Sequence, residues 1–278
     1  MSLQTTLNLL ALVLSGGMAA LLAAVLWFYA SPTAHTHYRH WAAAWASHAA
    51  YYLLGALSFG LGTLAPLGPA GRFALSGATQ VASVLGALLL VIGAVGYVER
   101  RRFTARALGT AVLVAVVLGL GVAALSQVPE WRVVRQLTRA LLSAASFLLA
   151  GGIVLRHRRA RGRPGRLLGL TMAGFGLVHL HYFAYAVLSA MDARPPYSLG
   201  HVTIFDVAWI TAIVTTMIAL AFADEQEEAA AKLRRQESEF RQMIENSSDL
   251  VMILDRDLSL RYASPSCARV LGWEPALV

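Results

Sequence analysis

The stretch VTIFDVAWITAIVTTMIALAFA, residues 202–223, runs without a break into DEQEEAAAKLRRQ, residues 224–236. The first part holds one charged residue, Asp206, and a bilayer core takes about 20 apolar residues per helix. It reads as a membrane span. The second part is charged but made of strong helix formers, so the spacing predicts one helix that leaves the membrane and continues into water. Phe222, Gln226, Ala229, Leu233, Gln236, Phe240 and Met243 recur at alternating four- and three-residue steps, the pattern of a heptad seam with small and polar members. Glu228–Lys232 and Glu237–Arg241 stand as i,i+4 pairs in the favourable orientation.

Upstream, six more stretches meet the same length requirement, at about 7–30, 41–61, 73–97, 105–125, 134–155 and 167–190. Short connections with turn residues separate them, among them Ser31-Pro32, Pro66 with Gly68-Pro69, Pro164-Gly165 and Pro195-Pro196. Composition agrees: of 278 residues 57% are hydrophobic and 14% charged, against about a quarter charged in soluble domains. A soluble single domain is excluded. The expected fold is an all-α membrane protein, a seven-transmembrane-helix bundle over 1–223. A cytoplasmic linker helix, 224–245, and an incomplete α/β domain, 246–278, complete it. The N-terminus has no basic residue before its apolar stretch, so it lacks the pattern of a cleavable signal peptide.

The formal net charge of +8 does not describe a nucleic-acid surface, because the basic residues lie between apolar runs rather than on one face. They set topology instead. Loops after the first, third and fifth stretches hold eleven arginines, including Arg39, Arg100–Arg102, Arg106 and Arg156–Arg166, while the opposite side holds Arg72, Arg132, Arg135, Arg139 and Arg194. By the positive-inside rule the N-terminus is outside and the C-terminus cytoplasmic. One cysteine, Cys267, permits no internal disulfide.

Ionisable residues at membrane depth point to function, because they are costly there and face an interior or wet cavity. Asp206 is the one carboxylate within the seven stretches, with His201 just before it. Counted at 1.5 Å per residue from the span ends, Gln80, Arg139, His181 and Asp206 lie within about 10 Å of the outer surface. These five residues make the candidate ligand site, in which Arg139 or His181 holds an anionic or hydrogen-bonding ligand and Asp206 is its counter-charge. Trp41, Trp45, His48 and Tyr52 share one helix face, and Phe175, His179 and Tyr182 another. His48 is placed deeper, apart from His181, as a packing residue. No catalytic residue set and no metal cluster is expected; closely spaced His35, His37 and His40 read as an interfacial loop.

A retinal Schiff base needs an intramembrane lysine, and the single lysine, Lys232, lies beyond the last span, so that chemistry is excluded. Bis-histidine haem needs two histidines at one depth; His48 and His179 differ by roughly 8 Å on the helical rise, which argues against it. The cofactor is otherwise open.

After Asn246 the period becomes strand-like: Leu250–Leu254 is an apolar run, Asp255-Arg256-Asp257 a turn, and Leu258, Leu260 and Tyr262 alternate on one face. Ser264-Pro265-Ser266 then starts a helix. A hairpin and one short helix do not form a stable core alone, so the chain is expected to stop inside a domain. Phe240–Asp255, Arg261–Ser266 and Val270-Leu-Gly-Trp-Glu-Pro275 resemble the opening of a PAS sensor domain, over residues 240–278. Leu258 stands where such hairpins commonly have glycine. Together the layout resembles the input half of bacterial membrane sensor histidine kinases and, almost equally, of membrane diguanylate cyclases. The resemblance implies an inner-membrane sensor, homodimeric, that responds to a small-molecule or membrane-borne stimulus. A transporter or a haem/redox membrane protein with a regulatory tail is the alternative of another class; it would show broken spans, an internal repeat or intramembrane charge pairs.

Overall fold

The computed structural model describes residues 3–30, 36–64, 68–99, 103–128, 131–157, 162–191 and 199–272. Two compact units divide the chain, Met1–Ala221 and Phe222–Val278. The first contains helices α1 (Leu3–Tyr29), α2 (Thr36–Leu64), α3 (Pro69–Glu99), α4 (Ala105–Leu125), α5 (Arg132–Arg156), α6 (Arg163–Ala190) and the start of α7 (Leu199–Asn246). Local chemistry explains several helix starts. Thr104 accepts a hydrogen bond from the Ala107 amide at 3.3 Å, and prolines stand in the first turns of α3 and α6, where a missing N–H costs nothing.

Among the described residues, six helices are long and apolar enough to cross a membrane, as fits a multi-pass membrane protein. The helix not among them is α2, 29 residues long. Its apolar content is diluted by Ser47, His48, Tyr51, Tyr52 and Ser58, residues that line the bundle interior or engage their own helix. Apolar side chains such as Leu21, Leu113, Val117 and Leu177 are exposed on the bundle's outer face, as lipid-facing residues are.

Helices α1, α2, α3 and α4 pack in sequence order, and α3 and α6 both flank α5. Helix α7 joins through side chains: Trp45 Nε1 on α2 donates to Met217 Sδ at 3.1 Å, the Thr171 and Thr216 hydroxyls of α6 and α7 meet at 3.3 Å, and Trp209 stacks on Phe175 at 6.4 Å. The expected stripe Trp41, Trp45, His48 and Tyr52 is buried along its length. Close approach to α3 makes this possible. A Cβ on Gly86 would lie 2.6 Å from His48 Nδ1, and one on Gly93 would collide with the Trp41 ring. Thr211, Thr215 and Thr216 on α7 donate to carbonyls four residues back, the usual way hydroxyls are satisfied within an apolar span.

The second unit holds the rest of α7, an antiparallel hairpin of β1 (Met252–Leu254) and β2 (Leu260–Ala263), and α8 (Pro265–Leu271). Helix α7 is unbroken over 48 residues, as the run of helix formers predicts. The pair Glu237–Arg241 forms at 3.4 Å. In the hairpin, Met252 pairs with Ala263 and Ile253 with Tyr262, then the register slips so that Leu254 faces Leu260. Leu258 has φ of +69° and leaves the alternating face expected for Leu258, Leu260 and Tyr262. Its left-handed backbone closes the turn, with the Leu258 amide donating to the Asp255 carbonyl and the Asp255 amide to that of Ser259, both at 2.9 Å. Helix α8 starts at the expected Ser264-Pro265. The Ser264 hydroxyl, however, accepts from the Val251 amide at 3.1 Å and meets Ser266 Oγ at 2.5 Å, and Ser266 donates to the Asp249 carbonyl at 2.6 Å. These buried serines tie the helix to the strand start. Gly272, with φ of +65°, follows α8 as a left-handed terminator.

Candidate functional site

One cavity of about 350 Å³ opens in the first unit, walled by residues of α1, α2, α3, α5, α6 and α7. Helix α4 contributes none of its lining. The cavity mixes charge, hydrogen-bonding groups and aromatic rings, the combination expected where a bundle holds a polar molecule. Its charged lining is Arg135, Arg139 and Asp206. Arg135 is exposed, Arg139 half-buried and Asp206 buried.

Arg139 sits two turns into α5 and donates through Nη1 to the Tyr51 hydroxyl of α2 at 2.6 Å. Asp206, on the membrane part of α7, accepts through Oδ1 from the Tyr182 hydroxyl of α6 at 3.3 Å. Helix α3 presents Ser76, Thr79, Gln80 and Ser83 to the same space. Thr79 is satisfied by its own helix, donating to the Leu75 carbonyl at 2.7 Å. Gln80 is 4% exposed and Ser76 Oγ is buried with no hydrogen-bond partner. These two lie one turn apart on one helix face.

Of the residues singled out in the sequence, Gln80, Arg139 and Asp206 therefore line one cavity. His181 does not line it: its side chain is exposed on α6, its ring 6.2 Å from that of Tyr182. Two residues back, a turn of about 200° puts His179 on the cavity wall instead. The His201 side chain lies outside the described residues, as do those of His35 and His37. His48 and His179, separated by roughly 8 Å in the depth count, line the same cavity. The count took residue 41 as the start of α2, whereas α2 begins at Thr36. Each imidazole bonds through Nδ1 to a carbonyl of its own helix, His48 to Ala44 at 2.8 Å and His179 to Phe175 at 3.1 Å. Both pack on the Phe147 ring, at 5.8 Å and 6.0 Å between centroids.

Tyr51, Ser76 and Tyr182 are the polar lining that reading the sequence undervalued. Tyr182 shares a helical stripe with Phe175 and His179, which was the signal for it. Tyr51 has only its place beside Tyr52, and Ser76 only its place one turn before Gln80. Among the described residues no group of three or more His, Cys, Asp or Glu side chains is arranged to hold a metal ion.

A family model described as a PAS domain matches residues 238–278, beginning within α7 and taking in the hairpin and α8. Comparison with curated proteins and with solved structures gives no match. The PAS match suggests a signalling or sensory role, and the apolar helices a membrane region.

Proposed function

We propose that this chain is the membrane-embedded sensory input module of a bacterial signal-transduction protein. The bundle takes up a stimulus, and α7 carries the response to the PAS region and onward to a histidine kinase; a diguanylate cyclase is the second output of the same layout. One observation carries this reading: a single helix, Leu199–Asn246, bears Asp206 on the cavity wall and runs into the segment that matches a PAS domain. A ligand that contacts the two positions of such a helix differently biases its shift or rotation.

Helix α2 serves as the seventh span in this reading. At 1.5 Å per residue it is about 43 Å long, it is flanked by α1 and α3, and its polar residues His48, Tyr51 and Tyr52 face the cavity rather than lipid. Arginine-rich loops after α1, α3 and α5 support an N-terminus outside and a C-terminus in the cytoplasm of the inner membrane. The exposed seam on α7 supports a homodimer.

Helical phase tests the relay. In the full-length parent protein, one residue inserted after Ala231 rotates everything downstream by about 100°, whereas seven residues restore the face. Autophosphorylation, or cyclic dinucleotide synthesis for a cyclase, should change with the first insertion and return with the second. Output indifferent to both insertions overturns the reading.

A further inference from the structure

Arg139 and Asp206 line one cavity yet do not pair with each other. Neither takes part in an ion pair with the other, whereas Arg241–Glu237 and Arg261–Asp255 pair directly in the second unit. Arg139 spends one donor on Tyr51, and Asp206 accepts one bond at 3.3 Å, long for a bond from a hydroxyl to a carboxylate. Charges within an apolar bundle are costly unless each meets an opposite charge or water, and these two act on each other without touching. Two opposite charges held apart across a cavity are complementary to a molecule that carries both.

We propose that the cavity binds a small zwitterion, a molecule with a carboxylate and an ammonium group such as an α-amino acid or a betaine. Its carboxylate meets the free edge of the Arg139 guanidinium, whose planar fork suits two parallel bonds. The cationic group meets Asp206 beside Tyr182. Gln80, buried on α3, and Ser76 one turn away, whose Oγ is buried without a partner, supply the remaining hydrogen bonds. A plain anion would leave Asp206 facing a like charge, and a plain cation would leave Arg139 unmatched. The volume of about 350 Å³ lies at the small end of ligand pockets, which limits the ligand to a few carbons, with Phe147 and Leu12 as apolar wall. Arg135, exposed at the lining, adds positive potential that draws in the carboxylate end. This assignment names the stimulus class for the sensory reading above and rests on that reading for its biological role, but not for binding.

The test uses the whole chain in lipid nanodiscs, titrated by calorimetry with the standard α-amino acids and glycine betaine. Each zwitterion that binds is compared with its deaminated acid and its decarboxylated amine; for 2-aminobutyrate these are butyrate and propylamine. At least one zwitterion should bind about tenfold or more tightly than both analogues. Arg139→Gln and Asp206→Asn should each weaken it by about tenfold or more, and Asp206→Asn should narrow the gap between the zwitterion and its deaminated acid. Where a variant does not fold, the analogue comparison on the unaltered chain decides. Equal binding of the acid alone, or no zwitterion bound at about 10 mM, overturns the proposal and leaves a water-filled cavity. Zwitterion binding with an output that ignores helical phase sinks the relay and not the site; a phased output with no zwitterion bound sinks the site and not the relay.

Discussion

The Arg139 guanidinium on α5 donates to the Tyr51 hydroxyl on α2 at 2.6 Å, a contact between residues 88 apart in sequence. With Tyr182 and Asp206 joining α6 to α7, it holds four cavity-lining helices by two side-chain bonds. Bonds to charged groups contribute about 1.5–3 kcal/mol in soluble proteins, but interhelical bonds in membrane bundles average about 0.6 kcal/mol. The lower figure governs here, because water in the cavity can replace the tyrosine oxygen. Tyr51→Phe is therefore expected to cost about 0.6 kcal/mol in reversible unfolding in detergent. A loss of about 3 kcal/mol or more would mean that Arg139 finds no substitute partner.

Gly86 marks where α3 comes closest to the His48 ring. An added Cβ would lie 2.6 Å from Nδ1 and 3.4 Å from the Ala44 carbonyl, the same two atoms that bond at 2.8 Å. Gly86→Ala must push the imidazole off that carbonyl, at a cost of about 1–3 kcal/mol. His48→Ala in the same chain should remove most of the penalty, since the two changes share one contact. Additive losses in the double-mutant cycle would show that the ring does not occupy this space.

Reading the sequence captured six helices apolar enough to span a membrane and the length of α7, because both are set by local rules, namely apolar length and helix propensity. It singled out Gln80, Arg139 and Asp206, which line one cavity, because polar residues are rare at depth. Choosing His181 over His179 needed the rotation of α6 about its axis, which only packing decides: Phe175 and His179 turn together onto Phe147. Ser76 and Tyr51 were illegible for a related reason. A serine or tyrosine in a span is ordinary until its neighbours leave it facing a cavity. In the hairpin, alternation failed at Leu258 because turn closure overrode the strand period.

Leu258 holds φ of +69° and is 77% exposed, so its side chain offers no packing in return for a left-handed backbone that costs about 1–2 kcal/mol outside glycine. Glycine relieves that strain but gains freedom in the unfolded chain. The balance predicts that Leu258→Gly stabilises the hairpin by about 0.5–1 kcal/mol. Slower hydrogen exchange at the Asp255 amide, which bonds to the Ser259 carbonyl at 2.9 Å, is the readout. Faster exchange would mean that the turn does not use this conformation.

Asp257, in the same turn, is held below its ordinary value of 3.8, first by the Ser259 hydroxyl and then by the Ser259 amide. A lowered folded-state pKa stabilises the turn at pH above 3.8, and that contribution is lost as pH falls below this value toward the folded one. Ser259→Ala removes the larger of the two bonds, so the Asp257 midpoint should rise toward 3.8. Carboxyl carbon shifts in a pH titration by NMR report it directly, and an unmoved midpoint would remove the hydroxyl from the explanation.

On α7, Leu233, Phe240 and Met243 are between 59% and 66% exposed, although each falls on the seam that begins at Phe222. Exposed apolar residues at heptad spacing on a charged helix are what a parallel partner would cover, and Gln226 and Gln236 are the polar members that keep such a pairing weak. Replacing both glutamines with leucine should tighten self-association by about tenfold or more, since each added buried methylene is worth about 0.8 kcal/mol. Sedimentation equilibrium of the full chain in detergent measures this. Glu227→Leu with Arg234→Leu supplies the control, because these two positions, seven apart, point away from the seam. Equal tightening by both pairs would show that added hydrophobicity alone, and not the seam, drives association.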